Sequence, residues 1–106
     1  MLHRALSFFL LLGCDRAAEK SAPPAAEIYA GTCARCHGTD GAGGLAVAGM
    51  PPPRNFADGA FQASRSDAEL KETIRSGKPP GMPAFGAMLD DTQLAGLVAQ
   101  VRSFKK

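Results

Sequence analysis

The sequence predicts an all-α fold in which long loops join a few helices. Runs of alternating β-branched and aromatic residues, which strands require, are almost missing. Two stretches in the C-terminal half carry helix-capping signals followed by apolar residues at helical spacing. The 8 prolines and 12 glycines among 106 residues indicate extensive loops. A chain of this length forms one domain, and its small size leaves little apolar material for a core.

The N-terminus predicts an export signal. Residues 5–12 form an apolar run that is far shorter than the roughly 20 residues of a membrane-spanning helix, and it matches the core of a signal peptide. The run ends in Leu11-Leu12-Gly13-Cys14, which resembles the lipobox of bacterial lipoproteins. We therefore expect a signal peptide over residues 1–13 and lipidation of Cys14. Ordinary cleavage near Ala17 is the alternative, and it would release a soluble periplasmic protein.

Residues 14–25 are predicted to be a flexible tether, and residues 26–106 the folded domain. The tether is small, charged and proline-containing, without apolar periodicity. A lipidated Cys14 would hold the domain on the periplasmic side of a bacterial membrane, and Asp15 resembles an inner-membrane retention signal. The formal net charge is only +2, so we do not predict nucleic-acid binding, which needs a clear basic excess.

The first helix is predicted to begin near Ala25 and to carry the motif Cys33-Ala34-Arg35-Cys36-His37. The spacing C-x-x-C-H is the attachment signature of a c-type haem. On a helix these three ligand-type residues stand at i, i+3 and i+4, so they share one face. We expect thioether bonds from Cys33 and Cys36 to one covalent haem c, with His37 as the proximal iron ligand.

Three other interpretations of the motif are weaker. A structural zinc site needs about four ligands, and the remaining candidates, His3 and Cys14, lie in the leader. A thioredoxin-like site needs a βαβ pattern, which is missing. A plain disulfide between Cys33 and Cys36 would leave the glycine-rich and Met-Pro segments downstream without a role.

Loops and helices alternate after the motif. A glycine-rich run over residues 38–44 lacks a P-loop lysine, so it does not predict a nucleotide site. The stiff segment over residues 50–56 contains Pro51 to Pro53, and we expect one of its proline carbonyls to accept the second ring N–H of His37. A helix from Ser66 to Gly77 follows, with Ser66 and Glu69 as a capping box.

The loop over residues 78–86 excludes a helix through its prolines and glycines, and Pro83 biases Met82 towards an extended conformation. Met82 is predicted to be the distal iron ligand. Met50 is the alternative, but the segment that it begins is expected on the proximal side of the haem. Met88 precedes a helix cap and is predicted to pack in the core.

The last helix is predicted to begin after Asp90, with Gln93 completing a second capping box. Its apolar residues recur at helical spacing: Leu94, Leu97, Val98, Val101 and Phe104. Gly96 in its middle costs about 1 kcal/mol relative to alanine, which indicates that another helix crosses closely there. The first helix, through Ile28 and Tyr29, is the expected partner.

Together, the haem-attachment motif, the proline segment, Pro80-Gly81-Met82-Pro83 and the terminal amphipathic helix resemble a class I monohaem c-type cytochrome. The resemblance covers residues 25–106. It implies a cytochrome c fold of three to four helices wrapped around the haem, axial ligation by His37 and Met82, and electron transfer as the activity. Arg54 and Asn55 are candidates for the haem propionates, or else solvated surface residues.

The implied function is single-electron transfer between redox proteins at the membrane. His37 and Met82 would fill both axial positions, leaving no place for a small-molecule substrate, and this ligand pair gives a high reduction potential. Two alternatives stay open. The chain could be the haem-bearing subunit of a larger oxidoreductase, or an enzyme or gas sensor with an open or displaceable sixth ligand.

Mass spectrometry of the mature protein tests both predicted modifications. We expect one covalent haem on the motif and acyl chains on Cys14, because each adds a characteristic mass. A mature protein without the haem mass would contradict the interpretation of the motif. A mature protein that starts beyond Cys14 would contradict lipidation alone.

Overall fold

The computed structural model describes residues 24–45 and 47–106. The predicted signal peptide, the lipidation site Cys14 and most of the tether lie outside this range. The described chain contains helices α1 (Ala25–Ile28), α2 (Ala34–His37), α3 (Gly59–Ser64), α4 (Asp67–Ser76) and α5 (Asp91–Ser103). No β-strand occurs among the described residues, and the all-α prediction is confirmed.

The first helix begins where the sequence predicts it but is not uniformly α-helical. A π-helical turn, Tyr29–Cys33, joins α1 to α2 without a break. The haem-attachment motif therefore starts at the end of the π-helical turn and occupies α2. Such turns often occur at functional sites. The helix ends at Gly38, whose φ of 82° suits glycine and redirects the chain into the glycine-rich loop.

Both predicted capping boxes form. Ser66 and Glu69 exchange hydrogen bonds at the start of α4, and Asp90 and Gln93 do so at the start of α5. Gly77 ends α4 with a φ of 75°. Sequence analysis did not predict α3, which is short and begins after Asp58, whose carboxylate accepts a hydrogen bond from the N–H of Ala60. An aspartate before Gly-Ala-Phe was the available signal.

The core is formed where the first helix and α4 pack against α5. Its buried residues are Tyr29, Phe56, Leu70, Ile74, Leu94, Leu97, Val98 and Val101. The predicted crossing at Gly96 is confirmed, since a Cβ at this position would lie 3.2 Å from the Cβ of Ala25. The rings of Tyr29 and Phe104 continue the contact, with centroids 4.9 Å apart. The crossing therefore ties the helix that carries the motif to the C-terminal helix.

Met88 lies at the surface. Its exposed fraction is 69%, so the prediction that it packs in the core is wrong. The turn after Phe85 directs the Met88 side chain outwards, and Leu89 contacts the core in place of Met88.

No helix in the described residues has the length and apolar character needed to cross a membrane.

Gly77 and Gly31 form a matched pair for testing this backbone. A Cβ at Gly77 would come within 2.8 Å of the Met82 carbonyl oxygen at positive φ, whereas a Cβ at Gly31 meets nothing within 4 Å. We expect Gly77→Ala to lower the free energy of unfolding by more than about 1 kcal/mol, and Gly31→Ala to leave it equal or raise it by up to about 1 kcal/mol. Denaturant unfolding curves measure both. Equal destabilisation by the two substitutions would contradict the described backbone.

Candidate functional site

One open cleft of about 820 Å³ brings the predicted site residues together. Cys33, Cys36 and His37 line it from the first helix, and Met82 lines it from the loop between α4 and α5. Its remaining wall is largely apolar and includes Pro51, Pro52, Pro53, Phe56, Phe61, Leu70, Ile74, Phe85, Leu97 and Val101. Volumes of about 300–1,000 Å³ are typical of cavities that hold cofactors, so the cleft has the size and polarity for a large planar apolar group.

His37 is held in the cleft wall by a hydrogen bond and by a stacked ring. Its Nδ1 lies 3.2 Å from the backbone carbonyl oxygen of Arg54. Because a carbonyl only accepts, Nδ1 carries the proton and Nε2 keeps its lone pair. The ring of Phe56 stacks on the imidazole with centroids 4.4 Å apart and planes inclined by 19°. The imidazole therefore has one fixed tautomer and a restricted orientation.

The predicted acceptor for His37 was wrong by one residue. The sequence analysis expected a carbonyl of Pro51 to Pro53, and the structure uses Arg54. The Pro53 carbonyl instead faces the glycine-rich loop, 3.2 Å from the place where a Cβ on Gly43 would lie. Burial lowers the pKa of His37, and the hydrogen bond to Arg54 opposes part of this shift. The ring is therefore neutral at pH 7 and suited to bind a metal through Nε2.

The two cysteines of the motif lie in different environments. Cys33 is half-buried and Cys36 is exposed. Burial raises the pKa of the Cys33 thiol, so its reactive thiolate form is disfavoured at neutral pH. Among the described residues, no group of three or more histidine, cysteine, aspartate or glutamate side chains could hold a metal ion.

The glycine-rich loop folds back under the end of the motif helix. Gly43 donates its N–H to the His37 carbonyl at 2.7 Å, and Gly44 donates to the Cys36 carbonyl at 3.0 Å. The hydroxyl of Tyr29 donates to the Gly38 carbonyl at 2.7 Å. These bonds satisfy carbonyl groups that a helix end leaves without partners. The loop thus stabilises the end of the motif helix.

Met82 lies at the end of a tight loop. Lys78 and Met82 exchange backbone hydrogen bonds of 2.9 and 3.1 Å. The N–H of Phe85 donates to the Ile74 carbonyl at 3.1 Å, which ties the next part of the loop to α4. The Met82 side chain is partly buried against the core. The loop therefore holds Met82 at the cleft on a backbone that is fixed by its own hydrogen bonds and by α4.

Met50, the alternative thioether, lies near the loop that carries Met82. It also lines the cleft, and its sulfur lies 3.5 Å from the place where a Cβ on Gly81 would be. We expected the segment that Met50 begins on the proximal side of the haem, and this assignment stays a prediction. The chain turns at Gly49, with a φ of 82°, and Met50 lies near Gly81 in the loop that carries Met82.

Cationic side chains surround the cleft to a degree that sequence analysis missed. Arg54 and Asn55, the two candidates for haem propionates, line it, and so do Arg35, Arg65 and Lys78. The guanidinium groups of Arg54 and Arg65 lie 5.3 and 5.8 Å from the centroid of the same ring, Phe61. Arg65 follows α3, an element that was not predicted, so its place at the cleft could not be inferred.

The sequence model of one protein family matches residues 20–100 of the chain, and its description is cytochrome c oxidase, cbb3-type, subunit III. The match covers most of the described domain. The chain belongs to this family. Membership implies haem c as the cofactor, and the residues of the cleft fit it: two thiols, a neutral imidazole and a thioether around an apolar volume.

Named relatives agree with this family. The chain is 32% identical over 83 residues to the cbb3-type cytochrome c oxidase subunit FixP of Azorhizobium caulinodans, covering 78% of this chain and 27% of that protein. It is 30% identical over 102 residues to the subunit CcoP of Rhodobacter capsulatus, covering 96% and 33%. The chain thus spans about a quarter to a third of the curated relatives that it matches.

The fold matches that of a solved structure over almost the full length of the solved chain. The KustC0563 c-type cytochrome superposes with a TM-score of 0.65 at 34% identity, covering 77% of this chain and 98% of that one. The fold is therefore that of a c-type cytochrome.

Tyr29 offers a test of how the motif helix is stabilised. Burial, followed by the nearby Cys33 and Asp40, raises the pKa of its hydroxyl from 10.0 to about 12, so folding favours the neutral phenol. The resulting contribution to the free energy of unfolding is complete below pH 10 and is lost as the pH rises towards 12. We expect Tyr29→Phe to cost about 1 kcal/mol at pH 7, because the Gly38 carbonyl loses its donor.

The same substitution should also flatten the fall in stability between pH 10 and 12. Denaturant unfolding at pH 7 and across this range measures both effects. Identical alkaline profiles for the variant and the parent would contradict the assigned role of the hydroxyl.

Proposed function

We propose that the chain is a single-electron carrier with one haem c, attached through Cys33 and Cys36 and ligated by His37 and Met82. The observation that carries the proposal is the meeting of these four side chains in one apolar cleft of cofactor size. When bound, haem c supplies a reversible one-electron iron couple. The residues of the chain would hold and orient the group, and the apolar wall of the cleft would reduce its contact with water.

Each ligand-type residue has a distinct role in this proposal. His37 presents Nε2 as a neutral donor because Nδ1–H is committed to the Arg54 carbonyl. Met82 offers a soft, uncharged thioether, which favours the reduced iron and raises the reduction potential. The apolar walls act in the same direction, because they disfavour the more highly charged oxidised state. Arg54 is the stronger of the two propionate candidates, with Arg65 beside it on the Phe61 ring.

We further propose a domain order of signal peptide over residues 1–13, tether over residues 14–25 and cytochrome domain over residues 26–106. A lipid on Cys14 would keep the domain on the periplasmic side of the membrane, near redox partners, and raise its effective concentration there. The relatives are named as subunits of cbb3-type cytochrome c oxidases, and this supports a role in respiratory electron transfer.

The same names favour one of the alternatives, that the chain works as the haem-bearing subunit of a larger oxidoreductase complex. The two functions share the same site chemistry and differ in the partner. Purification from membranes in mild detergent distinguishes them, because a subunit elutes with a stable assembly and a carrier elutes alone.

Axial ligation by Met82 is tested by absorption spectroscopy of the haem-loaded protein. We expect the oxidised protein to show the weak long-wavelength band of an iron–methionine bond. Met82→Ala should abolish this band and Met50→Ala should retain it, and the second variant is a matched control because both residues line the cleft. A parent protein without the band, or rapid binding of carbon monoxide by its reduced form, would instead support the enzyme or gas-sensor alternative.

A further inference from the structure

We propose that Gln62 is a positioning residue for His37, through Phe56 and the proline segment. This inference deepens the proposed function and rests on His37 being an iron ligand. Gln62 is 4% exposed and, apart from Tyr29 with its hydroxyl group, is the one buried polar side chain among the described residues. It lies on α3, away from the motif in sequence. A buried carboxamide must have its hydrogen-bonding groups satisfied, so its partners reveal what it holds in place.

The carboxamide of Gln62 connects three parts of the chain. Its Nε2 donates to the carbonyl oxygens of Phe56 at 2.8 Å and Val101 at 2.9 Å. Its Oε1 accepts from Nη1 of Arg102 at 2.9 Å. Only an amide offers two donated hydrogens and an acceptor at this position, since glutamate would set oxygen against two carbonyl oxygens. Gln62 therefore fixes the backbone of Phe56 to the C-terminal helix.

Arg102 in turn holds Gln62. Its guanidinium also donates to the backbone carbonyls of Gln62 and Arg65, and its Nε pairs with the carboxylate of Asp67 at 2.9 Å. These bonds attach the connection between α3 and α4 to α5. The Gln62 carboxamide is therefore held by hydrogen bonds to several elements, and a residue that orients others must itself be fixed in this way.

The backbone at Phe56 is fixed on both sides. Its N–H donates to the Gly41 carbonyl at 2.7 Å, and its own carbonyl accepts from Gln62. The Phe56 ring stacks on His37, and the carbonyl of Arg54, two residues earlier, accepts from His37 Nδ1. Both contacts that orient the imidazole thus come from one short segment that Gln62 holds in place.

Loosening this segment should change the reduction potential of the haem in a definite direction. A hydrogen bond from Nδ1–H to a carbonyl makes an imidazole a stronger donor, which stabilises oxidised iron. Weakening this bond should therefore raise the reduction potential and let the Nδ1 proton exchange faster with solvent. A purely structural role for Gln62 would lower stability and move neither quantity.

The test compares Gln62→Met with Val98→Ala in the haem-loaded full chain. Gln62→Met keeps the shape but loses both donated bonds, whereas Val98→Ala removes buried methyl groups on α5 outside the cleft. We expect Gln62→Met to raise the potential and to speed exchange at His37 Nδ1 about tenfold, which corresponds to weakening the hydrogen bond from His37 to Arg54 by about 1.4 kcal/mol. Val98→Ala should leave both at parent values. Only two histidines occur in the sequence, so ¹⁵N-histidine labelling isolates the signal.

Arg102→Gln is a milder variant, because it removes the arginine donor to the Gln62 oxygen but leaves the two bonds that the Gln62 amide donates. We expect a smaller rise in potential and exchange rate in this variant, which keeps the proposal testable if Gln62→Met folds poorly. Parent-like potential and exchange rate in Gln62→Met and Arg102→Gln, or equal shifts in Val98→Ala, would overturn the proposal. If the parent protein lacks the iron–methionine band, only ligation by Met82 is refuted. The proposal for Gln62 is still tested, because the comparison of variants depends on His37 and not on Met82.

Discussion

The crossing of the first helix over α5 is the contact on which the site depends. The absence of a side chain at Gly96 allows Ala25 to approach, and the rings of Tyr29 and Phe104 extend the contact towards the glycine-rich loop. Because the motif lies at the far end of the same helix, this packing decides where the cysteines and His37 stand. The hydrogen bond from Tyr29 to Gly38 then stabilises the turn directly after the motif.

The cleft has two differently built sides. On the His37 side the imidazole is oriented by a backbone carbonyl and a stacked ring, both supplied by the segment after the prolines. On the Met82 side the thioether is carried by a loop whose backbone bonds to itself and to α4. A neutral imidazole needs a fixed tautomer to act as a ligand, whereas a thioether needs only to be near and unhydrated. The two kinds of support follow from this difference.

Family membership and the geometry of the cleft carry different parts of the conclusion. The family implies haem c, and the solved c-type cytochrome establishes the fold. The chain covers only about a quarter to a third of its curated relatives, so a place in an oxidase assembly is a proposal about partners. The meeting of Cys33, Cys36, His37 and Met82 in one cleft is observed in this chain itself, and it supports electron transfer in either setting.

Local signals in the sequence were enough to predict the helical class, the haem-attachment motif, both capping boxes and the close crossing at Gly96. Each depends on residues a few positions apart or on a steric requirement that one glycine meets. Contacts between distant segments were decided only by the tertiary structure. Examples are the choice of Arg54 over the prolines as acceptor, the place of Met50 beside Gly81, and the link from Gln62 to Phe56. Spacing alone does not encode these contacts, because they depend on how loops pack after the helices have met.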